Sequence, residues 1–150
     1  MWHSIWPQDD IRAYRLNEDS HEDRVLIASR SSAFKDSVVA RIREAFDGKP
    51  VHVRFTGVDG LRHENAATYQ AVVLISTCMV WKLDPDVEAF LRRSPDQSHI
   101  IVLATSNVGD WRPGMKDGHF DSIASASKSV NVDGVSGYII SRINTLLGQP

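Results

Sequence analysis

The chain has 150 residues, of which 42% are hydrophobic and 24% charged; that is the size and make-up of one ordinary globular domain, large enough to bury a core without disulfides or metal. A formal net charge of −2 with no basic stripe argues against nucleic acid and a polybasic membrane surface, and the single cysteine, Cys78, rules out a disulfide framework. No apolar stretch approaches the ~20 residues of a membrane span, and "MWHSIWPQDD" lacks the basic start and apolar middle of a signal peptide. As given, the chain reads as soluble and cytoplasmic by default; if Met1 replaces a removed leader, it reads as extracytoplasmic and anchored.

Residues 1–23 set Trp2, Trp6 and Tyr14 among acidic residues without a sustained period of 2 or 3.6. They read as an irregular N-terminal arm or tether, and residues 24–150 as the domain. "RVLIAS" (24–29) is a short branched apolar run, a buried strand. Val38, Ile42 and Phe46 recur at i, i+4, i+8 with Val39 beside them, and "DGKP" (47–50) ends that helix. "VHVRF" (51–55) alternates as a one-sided strand, and "TGVDGLRHEN" (56–65) reads as loop. "AVVLIS" (71–76) is a second buried strand. "LDPDVEAFLRR" (83–93) opens a helix with Asp84 as N-cap and Pro85 at the first helical position, and buries Val87, Phe90 and Leu91. "HIIVLATS" (99–106) is a third buried strand, "NVGDWRPGMKDGH" a long loop, and "FDSIAS" (120–125) a fifth strand. A last helix over 132–147 turns Val135, Ile139, Ile143 and Leu146 or Leu147 inward.

Doubly apolar strands separated by helices imply an α/β fold: a doubly wound five-stranded parallel sheet with helices on both faces. The order 2-1-3-4-5 is expected, and ligands of such sheets bind at the carboxyl ends of the strands. That rule selects four segments. They carry Ser29, Arg30, Ser31, Ser32, Ala33, Phe34 and Lys35 after strand 1, and Thr77, Cys78 and Trp81 after strand 3. Ser106, Asn107, Gly109 and Trp111 follow strand 4, and Ser125 and Lys128 follow strand 5. Hydroxyls, two tryptophans and three cations should therefore converge.

Receiver domains of two-component signalling share this topology but need an acidic pair after strand 1 and an aspartate after strand 3. Ser29-Arg30 and Thr77-Cys78 stand there instead, which excludes them. The stretches "VLIASRSSAFKDSVVARI", "YQAVVLISTCMVWKLDPDVEAFL" and "IIVLATSNVGDW" make the chain resemble the flavodoxin-like family. The resemblance implies a flavin mononucleotide (FMN) site, with phosphate held after strand 1 and the ring sandwiched by the loops after strands 3 and 4. Trp81 and Trp111 are then the stacking candidates, and a redox partner protein is implied. The combination "TC..W", "ATSN.GDW" and "FDSIASASK" also looks like a group of flavodoxin-like domains known mainly from genomes, some behind a lipoprotein or membrane leader. This chain departs from the flavodoxin phosphate loop by lacking its glycine, whose absent side chain lets backbone amides turn toward phosphate. Two functions follow as expectations. One is binding of FMN or another anionic aromatic ligand with electron transfer. The other is a flavin-free binding or interaction module that has lost the cofactor.

Other chemistry is thinner. Ser32–Lys35 and Ser125–Lys128 match Ser-x-x-Lys, a spacing that sets an amine beside a serine nucleophile, but the companion motifs Ser-Asp-Asn and Lys-Thr-Gly are absent. Cys78 reads as a buried, inert thiol. The six histidines show no metal-ligand spacing.

Overall fold

The computed structural model describes residues 9–17, 22–77, 83–106, 121–126 and 132–148. Strands β1 (Asp9–Asp10), β2 (Tyr14–Leu16), β3 (Arg24–Ser31), β4 (His52–Gly57), β5 (Ala71–Thr77), β6 (Ile100–Ser106) and β7 (Asp121–Ala126) are interleaved with helices α1 (Ala33–Phe46), α2 (Pro85–Arg92) and α3 (Val132–Leu146). They form an α/β protein whose sheet runs β2-β4-β3-β5-β6-β7 in space, with β1 paired to β3. The pairs among β3, β4, β5, β6 and β7 are parallel, while β1 and β2 join antiparallel, so the sheet is mixed rather than purely parallel.

Within residues 1–23, Asp9–Asp10 and Tyr14–Leu16 form short strands where the sequence shows no sustained period. Leu16 is buried against the core, and Tyr14 stacks on Phe55 with ring centroids 4.4 Å apart. Two residues of period-2 signal are enough to pair a strand once a sheet edge is present, and too few to stand out in sequence. Asn17 anchors the same segment: its Nδ2 donates to the Phe46 and Val51 carbonyls at 2.8 Å, and its Oδ1 accepts from the Gly48 amide at 3.1 Å. Gly48 follows α1 with φ +76°, the left-handed residue that ends the helix.

Side-chain alternation along the strands divides the core into two layers. Val25 and Ile27 of β3, Val73 and Ile75 of β5, and Ile101 and Leu103 of β6 pack under α1 and α3, against Val38, Ile42, Phe46, Val135, Ile139 and Ile143. Leu26, Ala28, Val72, Leu74, Ile100 and Val102 pack against Val87, Phe90 and Leu91 of α2. The segment read as loop after β4 also closes this second layer. It folds into 3-10 turns at Val58–His63 and Ala66–Thr68, which bury Val58, Leu61 and Ala66. Helices thus cover both faces. Asp84 caps α2 by accepting from the Asp86 amide, with Pro85 in the first turn, as the spacing predicts. Among the described residues no helix is long and apolar enough to cross a membrane.

Candidate functional site

The carboxyl ends of the parallel strands bring together Ser29 to Lys35, Thr77, Ser106 and Ser125. In register, Thr77 of β5 lies opposite Thr105 of β6, and Thr105 opposite Ser125 of β7. The Thr77 and Thr105 Oγ1 atoms are 3.4 Å apart. Ser76 Oγ, on the opposite face, is buried and meets no hydrogen-bond partner among the described residues. Cys78, Trp81, Asn107, Gly109, Trp111 and Lys128 lie outside the described residues.

The segment expected as a loop after the first parallel strand is not a loop. β3 continues through Ser31, Ser32 alone intervenes, and α1 begins at Ala33. Ser29 is buried and donates to the Arg30 carbonyl at 2.6 Å. Ser31 Oγ donates to the Asp36 carboxylate at 2.9 and 3.0 Å. Ser32 is the N-cap, its Oγ accepting from the Lys35 amide at 3.2 Å, and Phe34 is buried in the α1–α3 layer.

Arg30 follows Ala28 in the alternation and so turns toward α2. It is 8% exposed. Its Nε donates to Asp84 Oδ2 at 2.8 Å, and its Nη2 donates to Asp84 Oδ1 at 3.1 Å and Asp86 Oδ2 at 3.0 Å. Asp84 is fully buried. One carboxylate thus caps α2 and receives a two-pronged guanidinium from the central strand, a geometry that suits arginine and not lysine. Sequence reasoning found Asp84 as a cap and missed it as the partner of Arg30. The available signal was Asp-Pro-Asp at a helix start, which says nothing about a residue 54 positions earlier.

Lys35 is 3% exposed. Burial pushes its ammonium below the usual lysine value, Asp36 pulls it back up, the Arg30 cation lowers it and Asp84 raises it. Its Nζ reaches Ser32 Oγ at 3.4 Å.

These contacts test the phosphate position that a flavodoxin resemblance implies. A wrapped phosphate needs successive amides turned inward without side chains between them. Here Arg30 and Ser31 are paired with Asp10 and Asp9 in a ladder, the Lys35 amide is taken by Ser32 Oγ, and the Asp36 amide by the Ser32 carbonyl. Ala33 and Phe34 carry side chains where the chain would have to fold round the anion. Arg30 and Lys35 face the carboxylates of Asp36, Asp84 and Asp86, which cancels the positive field a phosphate would seek. The residues present do not fit a wrapped phosphate.

Among the described residues, concavities lie at the opposite, amino edge of the sheet. One of about 240 Å³ is lined by Asp23, Phe46, Lys49, Val51 and Leu147 among others, and one of about 600 Å³ by Tyr69, Arg93, Asp96 and His99 among others. In the second, the polar groups serve the fold: His99 Nε2 meets the Ala66 carbonyl at 2.8 Å, Arg93 donates to the Leu61 carbonyl, and Asp96 accepts from Ser98. No cluster of potential metal ligands occurs among the described residues. The chain matches no family model, and no curated protein matches it in sequence.

Proposed function

We propose that this chain is a flavodoxin-like module that binds a partner at the carboxyl edge of its sheet without using FMN. The fold part of this reading is supported by the spatial succession of the parallel strands, β4-β3-β5-β6-β7, which counted among themselves reads 2-1-3-4-5. The observation that carries the functional part is the Arg30–Asp84–Asp86 tie beside a strand-to-helix junction of one residue. At the place where a flavodoxin would hold phosphate, this chain spends its cation on its own second helix. The β3–α1 junction is held by contacts with α1 and α2 of this chain, which supports a reading without a nucleotide.

The partner class favoured is protein. The segments that leave β5 and β6 at this edge contain Trp81, Trp111 and Arg112, residue types that anchor protein contacts.

Thermal unfolding of the full chain with and without excess FMN tests this. A ligand of the native state alone stabilises it by about 2.7 kcal/mol at a hundredfold excess over Kd. The expected result is an unchanged Tm. A Tm that climbs with FMN concentration, or protein that purifies yellow, overturns the reading in favour of a flavin-binding electron carrier.

A further inference from the structure

We propose that the concavity of about 240 Å³ at the amino edge of the sheet binds a free α-amino acid with an apolar side chain. Helices α1 and α3 pack on the same face of the sheet, and both end at this cavity. Phe46 closes α1, while Asn144 stands in the last turn of α3 with Leu147 just past its end. Asp23 immediately precedes β3, and Lys49 and Val51 lie between α1 and β4. Segments remote in sequence thus bring a carboxylate, an ammonium and a carboxamide to one cavity. Phe46 and Val51, each 3% exposed, give it an apolar inner wall that Leu147 extends.

The polar side chains here are uncommitted. Among the described residues, the Asp23 carboxylate, the Lys49 ammonium and the Asn144 carboxamide make no hydrogen bond or ion pair, with one another or elsewhere. The backbone that carries the two charges is pinned all the same. The Asp23 carbonyl accepts from the His52 amide at 2.8 Å, the Lys49 amide donates to the Phe46 carbonyl at 3.1 Å, and the Lys49 carbonyl accepts from the Val51 amide at 2.8 Å. The larger concavity at this edge differs, since its His99, Arg93 and Asp96 are tied into the fold.

Opposite charges beside an apolar wall select a zwitterion with an apolar body. The ligand's ammonium meets Asp23 and the carboxyl ends of α1 and α3, where the helix dipoles place partial negative charge. Its carboxylate meets Lys49, and the Asn144 carboxamide can donate to one group or accept from the other. Its side chain lies on Phe46, Val51 and Leu147. The volume is below the roughly 300 Å³ at which sites for drug-sized ligands begin, which suits a single amino acid rather than a peptide or nucleotide. The cavity is at the end of the sheet opposite the carboxyl edge, so the inference is independent of what that edge binds.

Titration of the isotope-labelled full chain with leucine, followed by amide NMR shifts, tests this. Saturable shifts should appear at Phe46 to Val51 and at Asn144 to Leu147, with a Kd below about 1 mM. Leucinamide lacks the carboxylate, N-acetyl-leucine the ammonium and glycine the apolar side chain. Each should bind at least about tenfold more weakly, the loss of one charged hydrogen bond or one buried side chain. Asp23→Asn should weaken leucine and leucinamide about tenfold and leave N-acetyl-leucine unchanged. Lys49→Met should weaken leucine and N-acetyl-leucine about tenfold and leave leucinamide unchanged. The rest of each variant's spectrum, unshifted, shows that it is folded. The proposal is overturned by no saturable shift at these residues, by leucinamide or N-acetyl-leucine binding as tightly as leucine, or by leucine binding that survives either substitution.

Discussion

The Arg30 guanidinium on the central strand clasps the fully buried Asp84 carboxylate through two hydrogen bonds, 2.8 and 3.1 Å long. Asp84 in turn caps α2, so one ion pair fixes the second helix to the middle of the sheet. Removing Asp84 takes away the α2 cap and leaves the buried Arg30 cation with Asp86 as its remaining named carboxylate. Asp84→Ala should therefore cost about 3 kcal/mol in urea denaturation, the low end for breaking a buried pair, because Asp86 still compensates part of the Arg30 charge. The double variant Arg30→Met, Asp84→Leu should lose less than Asp84→Ala alone. A double-mutant cycle reads this directly, and additive losses would refute the coupling.

The arm strand β2 adds stability through Leu16. Leu16→Ala should cost about 2 kcal/mol, the low end for a leucine truncation because the site lies at a sheet edge and can relax. The urea midpoint measures it. A change within error would mean that the arm is not part of the cooperative fold.

Tyr69 provides a pH signature in the alkaline range. Burial, with its hydroxyl donating to Glu64 Oε1 at 2.7 Å, pushes it from 10.0 to about 12. The folded value lies above the unfolded one, so the native state holds the extra proton between them. Its contribution is complete below pH 10 and lost as pH rises toward 12. Tyr69→Phe should flatten the fall in urea midpoint above pH 10; an equally steep fall would assign the loss elsewhere.

Lys35 carries the opposite sign. Burial lowers its folded value below the unfolded 10.5, so between the two the unfolded chain binds more protons and stability rises with pH. Below the folded value the buried charge is a standing cost. Lys35→Met should raise the urea midpoint at pH 7, and the advantage should shrink as pH approaches 10.5. A gain independent of pH would point to packing rather than charge.

The buried parallel strands were readable because "VLI", "VVLI" and "IIVL" need cover on both faces, and α2 because Asp84-Pro85 starts a helix by local chemistry. The helical faces followed for the same reason: Val38, Ile42 and Phe46, and Val135, Ile139 and Ile143, recur one turn apart. β1 and β2 were hidden, since strands of two and three residues carry almost no periodicity and take their register from the sheet they join. At the candidate site the residue types were legible and their commitments were not. Ser29 to Lys35 look like a loop in sequence because hydroxyls favour loops. The structure makes them strand, cap and helix because β1 extends the ladder past Ser29 and Ser32 starts α1 at once. Arg30 read as a free cation for an anion, and its acidic partners arrive only through the tertiary fold.

The proposed function gives FMN no phosphate site at the β3–α1 junction, where Ser32, Arg30 and Lys35 are committed to contacts within the chain. Titration of FMN fluorescence with the purified full chain tests it most directly. The expected result is no saturable quenching, hence a Kd weaker than about 1 mM. Stoichiometric, saturable quenching with a Kd near about 1 μM would contradict it.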